Sequence, residues 1–453
     1  MRQPVALAAL VLLVVSLRPS AAAPDIFVGD RPVEVTIVAP FRKLFVNAEA
    51  DPEASVSGSL IIRTEPGAPD TTIRNVTIKE RGNTSRRSTE CTFPKLSLDL
   101  DDANGTGAPV GDIRVLKIGT HCGDAPIGVL TPKFGRLANE LAPVREALVY
   151  RLLEAAGVPT LRARPARITY RFVGAQTDAS LTRNAMLLED DDDAARRFGG
   201  TQIDEAGFVS AREHFQVTDT ARLAFAQAMV GNFDWCLRMF RGDIYRCDDR
   251  HPLWNVLAFD RTDGPDLPLP YDFDLAGPVV GRHIWFDEVF AADFAASGSP
   301  IEVEVLAQVQ RTRSLFDRSV LDATRAWFVD ARPRVEAALA QATVDDEGRR
   351  LARRYVDAFY QGITRDERFY GPIVVEGGHR AFLDAEGVQP ACGDRSHVPQ
   401  GTVVSAPLAT RDGRVQVRVL DALWTWTGDR RCEAVQREPV WIDSNAIGTD
   451  YPR

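Results

Sequence analysis

The sequence predicts an α+β protein with a β-rich N-terminal lobe and a mainly helical lobe after it. Three observations carry this. Between residues 30 and 120, short β-branched or alternating runs are separated by Gly-, Pro- and Asp-rich turns. From residue 140 onward, apolar residues recur at helical spacing. The composition, 45% hydrophobic and 26% charged over 453 residues, is that of a globular chain able to bury a large core.

The first 23 residues read as a secretory signal peptide. Arg2 supplies the positive start, Val5 to Leu17 the apolar stretch, and Ser20 to Ala23 the small residues for cleavage. Cleavage is expected after Ala22, because Pro24 makes a poor first mature residue. The apolar stretch falls short of the roughly 20 residues of a bilayer span. No second run of that length follows, so an exported protein without a stable transmembrane anchor is expected, whether periplasmic, surface-held or secreted. The formal charge of −9 argues against general nucleic-acid binding.

Residues 24–200 form the expected β-rich lobe. "VEVTIV", "GSLIIRT", "IRNVTIKERG", "PKLSLDLDD" and "IRVLKIG" read as strands, the first two within a region, residues 25–65, that looks like strands. Leu96, Leu98 and Leu100 share one face. "PVREALVYRLLEAAGVP" reads as a helix stopped by Gly157 and Pro159, and "ARITYRFV" with "RNAMLLED" as a strand pair. Residues 201–365 form the helical lobe. It opens with "TDTARLAFAQAMVGN", with Thr218 or Thr220 as N-cap and Gly231 at its end. "LWNVLAFD" and "LPLPYDFDLAG" are strands joined by "RTDGPD", and 302–362 is helical. Residues 366–453 read as a β-rich C-terminal extension. Its Trp424, Trp426 and Trp441 either fill a small core or present a partner surface.

Six cysteines without a CxxC spacing, in an exported chain, suggest disulfides rather than a metal ribbon. Nearness in sequence favours Cys91–Cys122, Cys236–Cys247 and Cys392–Cys432. The histidines show neither HExxH nor HxH spacing, and no G-x-x-x-x-G-K-[ST] or G-x-S-x-G occurs. Asn75, Asn83 and Asn104 begin glycosylation sequons, relevant only in a glycosylating host; the Ala- and Arg-rich composition looks bacterial.

Chemistry is expected where acids cluster. "GNFDW" places Asn232 and Asp234 after a helix, "HPLWNVLAFD" supplies Asn255, and "PYDFDLAG" supplies Asp272 and Asp274. On a strand, Asp272 and Asp274 share a face, and two carboxylates on one face repel unless a cation or a proton compensates. With an amide nearby they suit Mg²⁺ or Mn²⁺. An acid, then a metal-binding Asn, then a metal-binding Asp is the order used by protein kinases. "RGNTSRR", residues 81–87, offers Arg81, Asn83, a glycine and small hydroxyls for covering phosphates. Lys95 and Lys117 lie on neighbouring expected strands, and either is a candidate phosphate partner. Glu189 opens "EDDDD", a run that fits either a bridge to an active-site lysine or a helix N-terminus.

Taken in order, "ERGNTSRR", "LLEDDDD", "GNFDW" and "PYDFDLAG" resemble the CotH-type, spore-coat protein kinase family over roughly residues 30–340. The chain is also similar to a group of exported bacterial proteins carrying C-x-F-P, L-K-x-x-T-H-C and P-Y-D-F-D motifs. Those stand here at Cys91–Pro94, Leu116–Cys122 and Pro270–Asp274. The resemblance implies a two-lobed atypical kinase fold and phosphate transfer from ATP to a protein acceptor. It implies Asp234 as the catalytic or substrate-orienting acid, Asn255 and Asp274 as metal ligands, and Asp272 near the nucleotide. It further implies that Glu189 pairs with the phosphate-binding lysine, and it supports the Cys91–Cys122 bridge. The chain departs from the family between Cys236 and Asn255, and at "STECTFPK", so the choice between Lys95 and Lys117 stays open. The competing reading is a non-catalytic envelope or secreted binding protein on the same scaffold.

Overall fold

Seven strands close into a barrel: β1 (Val33–Ala39), β2 (Ser55–Arg63), β3 (Thr71–Arg81), β4 (Lys95–Asp99), β5 (Val115–Gly119), β6 (Ala163–Phe172) and β7 (Ala179–Glu189). Their order is β1-β2-β3-β4-β5-β7-β6. Neighbours are antiparallel except β1 and β6, which close the barrel in parallel. The computed structural model describes residues 25–449, apart from 101–109, 111–112, 175–178, 240–246, 248–249, 282–300, 302–304, 306–307, 310–311, 392–396, 399–401, 403 and 420–437. The expected leader at 1–23, Asn104, Cys392, Cys432, Trp424 and Trp426 lie outside the described residues.

The barrel follows from period-two patterning. Val33, Val35, Ile37 and Ala39 point inward from β1, and Leu96 and Leu98 from β4; all are buried with Ile73, Val76, Ile78, Ile168 and Tyr170. At Gly58 the β2–β3 register shifts, and an added Cβ there would sit 2.6 Å from the Val38 carbonyl oxygen. One segment of the expected strand region is instead a helix, α1 (Phe41–Ala50). In "FRKLFVNAEA" the buried Phe41 and Leu44 are three residues apart, a helical rather than an alternating spacing. Phe41 packs edge-on to Tyr170, with ring centres 5.7 Å apart.

The remaining helices are α2 (Leu141–Ala156), α3 (Asp191–Arg197), α4 (Glu205–Ala211), α5 (Val217–Met229), α6 (Gly277–Val280), α7 (Arg318–Gln341), α8 (Asp346–Thr364) and α9 (Asp366–Phe369). Helix α2 ends as its sequence demands, with Gly157 at φ 80° donating to the carbonyls of Leu153 and Glu154. Helix α5 begins at Val217, ahead of both expected caps. Gln216 occupies the cap position without a side-chain bond to the helix N–H groups, and the Thr220 hydroxyl donates back to the Gln216 carbonyl at 3.1 Å. Helices α2, α5, α7 and α8 share a second core containing Leu148, Leu152, Phe225, Phe328, Tyr355 and Phe359. Although α2 lies between barrel strands in sequence, its apolar face belongs to this helical core.

Short strands complete the chain. β8 (Gly200–Ile203), β9 (Cys236–Leu237), β10 (Leu253–Trp254), β11 (Val256–Arg261) and β12 (Leu267–Pro270) include the expected hairpin, with sheet order β12-β11-β8. β13 (Ile373–Val374), β14 (Ala409–Arg411), β15 (Arg414–Val417), β16 (Val440–Asp443) and β17 (Ile447–Gly448) surround a third, smaller core of Val374, Val398, Val404, Val417 and Ile442. Half-buried Trp441 on β16 pairs through its backbone with Phe382. Among the described residues, no helix is long and apolar enough to cross a membrane.

Among the described residues two disulfides are present, Cys91–Cys122 and Cys236–Cys247, with Cα atoms 4.5 and 6.0 Å apart. Their sequence separations are 31 and 11 residues, so chain entropy assigns more to the first. Replacing Cys91 and Cys122 by Ser is expected to lower unfolding free energy by about 3–4 kcal/mol, and replacing Cys236 and Cys247 by about 2.5–3 kcal/mol. Urea unfolding of the two paired variants checks the ranking.

Candidate functional site

Lys95 opens strand β4, and its side chain is largely buried. Its ammonium Nζ lies 3.1 Å from Asp272 Oδ1 and 3.0 Å from Asp274 Oδ2. These aspartates are not on a strand, contrary to the sequence expectation. β12 ends at Pro270, and Asp272 takes a left-handed backbone with φ 57°. That turn, rather than the pleat of a strand, brings both carboxylates onto one cation. Strand ladders set the other side: Lys95 pairs with Arg81 across β3–β4, and the "RGNTSRR" loop starts at that residue. Arg81 donates through Nε to the Leu96 carbonyl at 3.1 Å. Gly82 turns at φ 88°, and the Ser85 hydroxyl caps the turn on the Arg81 carbonyl at 3.0 Å. Asn83 is exposed on this loop.

Helix α2 supplies residues that sequence reasoning missed. Glu146 is buried within electrostatic reach of Lys95, Asp272 and Asp274. Burial pushes its carboxyl up to about 7 even though Lys95 opposes the shift. Tyr150, one turn on, accepts a hydrogen bond from the Asp272 N–H at 3.1 Å. Its ring packs edge-on against Phe273 at 4.9 Å. Arg136 places Nη2 3.0 Å from Asp274 Oδ2. Burial would raise the Asp274 carboxyl, but Arg136 and Lys95 together bring it down to about 2. Burial would lower the Lys95 ammonium, but Asp272, Asp274 and Glu146 hold it above its ordinary value. At neutral pH the cluster therefore contains an ionised Asp274 and a charged Lys95.

Asp234 and Asn255 form an adjoining group. Asn255 Nδ2 donates to Asp234 Oδ2 at 3.0 Å and to the Asp234 carbonyl at 2.5 Å. Trp254 Nε1 donates to Asp234 Oδ1 at 3.2 Å. Asn232 is fully buried and holds the turn, accepting from the Asp234 N–H at 3.1 Å and donating to Gln227 Oε1 at 2.9 Å. Two backbone bonds join this group to the aspartate turn. The Tyr271 N–H donates to the Asn255 carbonyl at 3.1 Å, and the Gly277 N–H to the Val230 carbonyl at 3.1 Å.

Two expected participants lie elsewhere. Lys117 pairs with Asp190 and Asp191 at 3.2 and 2.7 Å, at the N-terminus of α3. Glu189 does not pair with either lysine. Its two carboxylate oxygens are taken by Arg162 and Arg197 at 2.7 to 3.0 Å, and it is fully buried. The acidic run thus caps a helix, with Asp190 accepting from the Asp192 N–H, and Glu146 is the buried glutamate whose charge acts on Lys95. One sequence signal could have drawn attention to Lys95: five of 54 basic residues are lysine, all between positions 43 and 133. No local signal marks Arg136.

Linkage fixes a pH test of Glu146. A carboxyl raised by folding contributes stability that is fully present below its unfolded value of 4.5 and lost as pH rises through about 7. Glu146→Gln should remove that loss. Relative to the parent, the variant should be more stable at pH 8 than at pH 5 by at least about 1 kcal/mol, the worth of under one pKa unit. Urea midpoints at the two pH values measure it; equal differences at both would contradict it.

No protein-family model matches the chain. No curated protein matches it in sequence either. Among solved structures, the chain is similar to a crystal structure of the Helicobacter pylori proinflammatory kinase CtkA. The TM-score is 0.30 and the identity 8%, over 59% of this chain and 94% of that one. The similarity is slight, and the reading of the site rests on its own geometry.

Proposed function

We propose that this protein is an exported, metal-dependent, kinase-like enzyme that transfers phosphate from ATP to a protein acceptor. The observation that carries the reading is the buried Lys95 between Asp272 and Asp274, flanked by Glu146 and adjoining the Asp234–Asn255 pair. Phosphoryl transfer calls for such parts: a cation for the phosphates, oxygen ligands for a divalent ion, and one further carboxylate for the attacking hydroxyl.

The donor chemistry fits Mg²⁺ or Mn²⁺. Carboxylate and amide oxygens are hard ligands, and strong local cations keep Asp274 ionised. Asn255 and Asp274 would hold the ion, with Asp272 on the nucleotide side. Among the described residues, no three His, Cys, Asp or Glu side chains converge as a ready metal cage. That suits an ion completed by phosphate oxygens and water. The ion would neutralise charge on the phosphates.

The chain's own residues do the rest. Lys95 exchanges its aspartate partners for phosphate oxygens, and Glu146 keeps the ammonium in place. The "RGNTSRR" turn, with Arg81 and Asn83, offers donors over the phosphates. Asp234, fixed by Trp254 and Asn255, orients an acceptor hydroxyl and takes up its proton. The two disulfides accord with an oxidising compartment. One observation favours a non-catalytic binding module instead: Lys95 and Arg136 themselves neutralise the charge of Asp272 and Asp274.

Transfer of radioactive phosphate from ATP, with Mn²⁺ present, separates the readings. Asp234→Asn should keep ATP binding and lose transfer by about 10²–10⁴-fold. Asp274→Ala should lose both. A folded, oxidised protein that neither binds ATP nor transfers phosphate would leave the binding-module reading standing.

A further inference from the structure

Arg136 holds a second cation on the carboxylate oxygen that Lys95 already occupies: Nη2 and Nζ each lie 3.0 Å from Asp274 Oδ2. The residue is 8% exposed, and its Nε has no hydrogen-bond partner. A buried guanidinium N–H without a partner is costly, and a planar fork with a spare donor matches a phosphate better than one shared carboxylate oxygen.

The backbone under Arg136 is built around the Cys91–Cys122 disulfide. Cys122 adopts φ 63° and accepts from the Phe93 N–H at 3.0 Å. The chain then runs out and returns. The Ala125 N–H donates to the Ala138 carbonyl at 3.0 Å, the Thr131 N–H to the Arg136 carbonyl at 2.9 Å, and the Arg136 N–H to the Thr131 hydroxyl at 3.2 Å. Ala138, two residues past Arg136, packs directly on the two half-cystines. The same disulfide anchors the other end of the loop that starts at Arg81, whose Arg87 lies over the Phe134 ring at 5.7 Å. Both basic segments facing Lys95 therefore hang on one sulfur bridge.

We infer that Arg136 is a second phosphate-binding residue of the proposed ATP site, and that the Cys91–Cys122 disulfide sets its reach, so that reduction weakens phosphate binding. The inference rests on the ATP-dependent reading of the site. Asp274 would hold the divalent ion, which would supply positive charge for the phosphates, and Lys95 and Arg136 would bind polyphosphate oxygens in place of that carboxylate.

Calorimetric titration of the purified, oxidised protein with ATP plus Mn²⁺, and with tripolyphosphate plus Mn²⁺, tests this. Arg136→Ala should weaken both by about ten- to a hundredfold, the range for a charge-assisted contact. Arg136→Lys should recover part of the loss, and guanidinium at non-denaturing concentration should restore binding to Arg136→Ala alone. A reducing agent should weaken the parent protein at least as much, and should weaken Arg136→Ala by clearly less than it weakens the parent. Circular dichroism identifies any variant that has lost its fold, in which case Arg136→Lys and the reduction arm decide. If Arg136→Ala binds like the parent while Lys95→Met does not, the inference fails and the ATP site stands. If the parent binds neither probe, the ATP reading fails, and the inference with it.

Discussion

The site depends on a buried ammonium. Lys95 sits where an unpaired charge would cost several kcal/mol, so the aspartates that neutralise it must be delivered to it. They come from a turn 177 and 179 residues away in sequence. The barrel that carries β4 and the hairpin that carries the turn are therefore coupled by charge as well as by packing. Gly277, just past the turn, lies so close to Tyr355 that an added Cβ would fall 2.1 Å from the ring. That close approach lets the Gly277 N–H reach the Val230 carbonyl and joins the Asp234 turn to the Asp274 turn.

Helix α2 is the element that makes this coupling rigid. Its Arg145 grips Asp345 through Nε and Nη2 at 2.9 and 2.7 Å, and also donates to the Val279 carbonyl. At its other end, Trp327 Nε1 donates to the Ala156 carbonyl at 3.0 Å. Between these anchors, Glu146 and Tyr150 face Lys95 and the aspartate turn. A helix fixed into the helical core thus sets the electrostatics of a lysine borne by the barrel. A shift of α2 against either neighbour would move Glu146 relative to the ammonium, so the site is sensitive to how the two cores pack.

Much of the fold was legible because it rests on local patterning. Alternation in "VEVTIV" and "LSLDL" marks β1 and β4, and Gly157 marks the end of α2. Helix α1 was misread because a two-turn helix among strands offers few apolar positions, and Phe41, Leu44 and Phe45 also pass as an irregular strand. Closure of the sheet into a barrel was not legible: it depends on the parallel β1–β6 pair, a contact more than 130 residues apart. The site divides in the same way. Asp234, Asn255, Asp272 and Asp274 stand in short motifs. Glu146 lies inside an ordinary helical pattern, and Arg136 inside a turn without one. Glu189 misled because an acid at a strand end carries no mark of its partner; Arg162, 27 residues before it, and Arg197, eight after it, claim it.

The most direct test of the account is to ask which lysine meets the nucleotide. The chain has five lysines, Lys43, Lys79, Lys95, Lys117 and Lys133, so the answer is readable residue by residue. An acyl-phosphate derivative of ATP transfers its acyl group to an amine beside the bound phosphates, and peptide mass spectrometry locates it. The account predicts labelling of Lys95, dependent on Mn²⁺ or Mg²⁺ and blocked by excess ATP. Labelling of Lys117 in its place, or of the exposed lysines alone without competition by ATP, would contradict it.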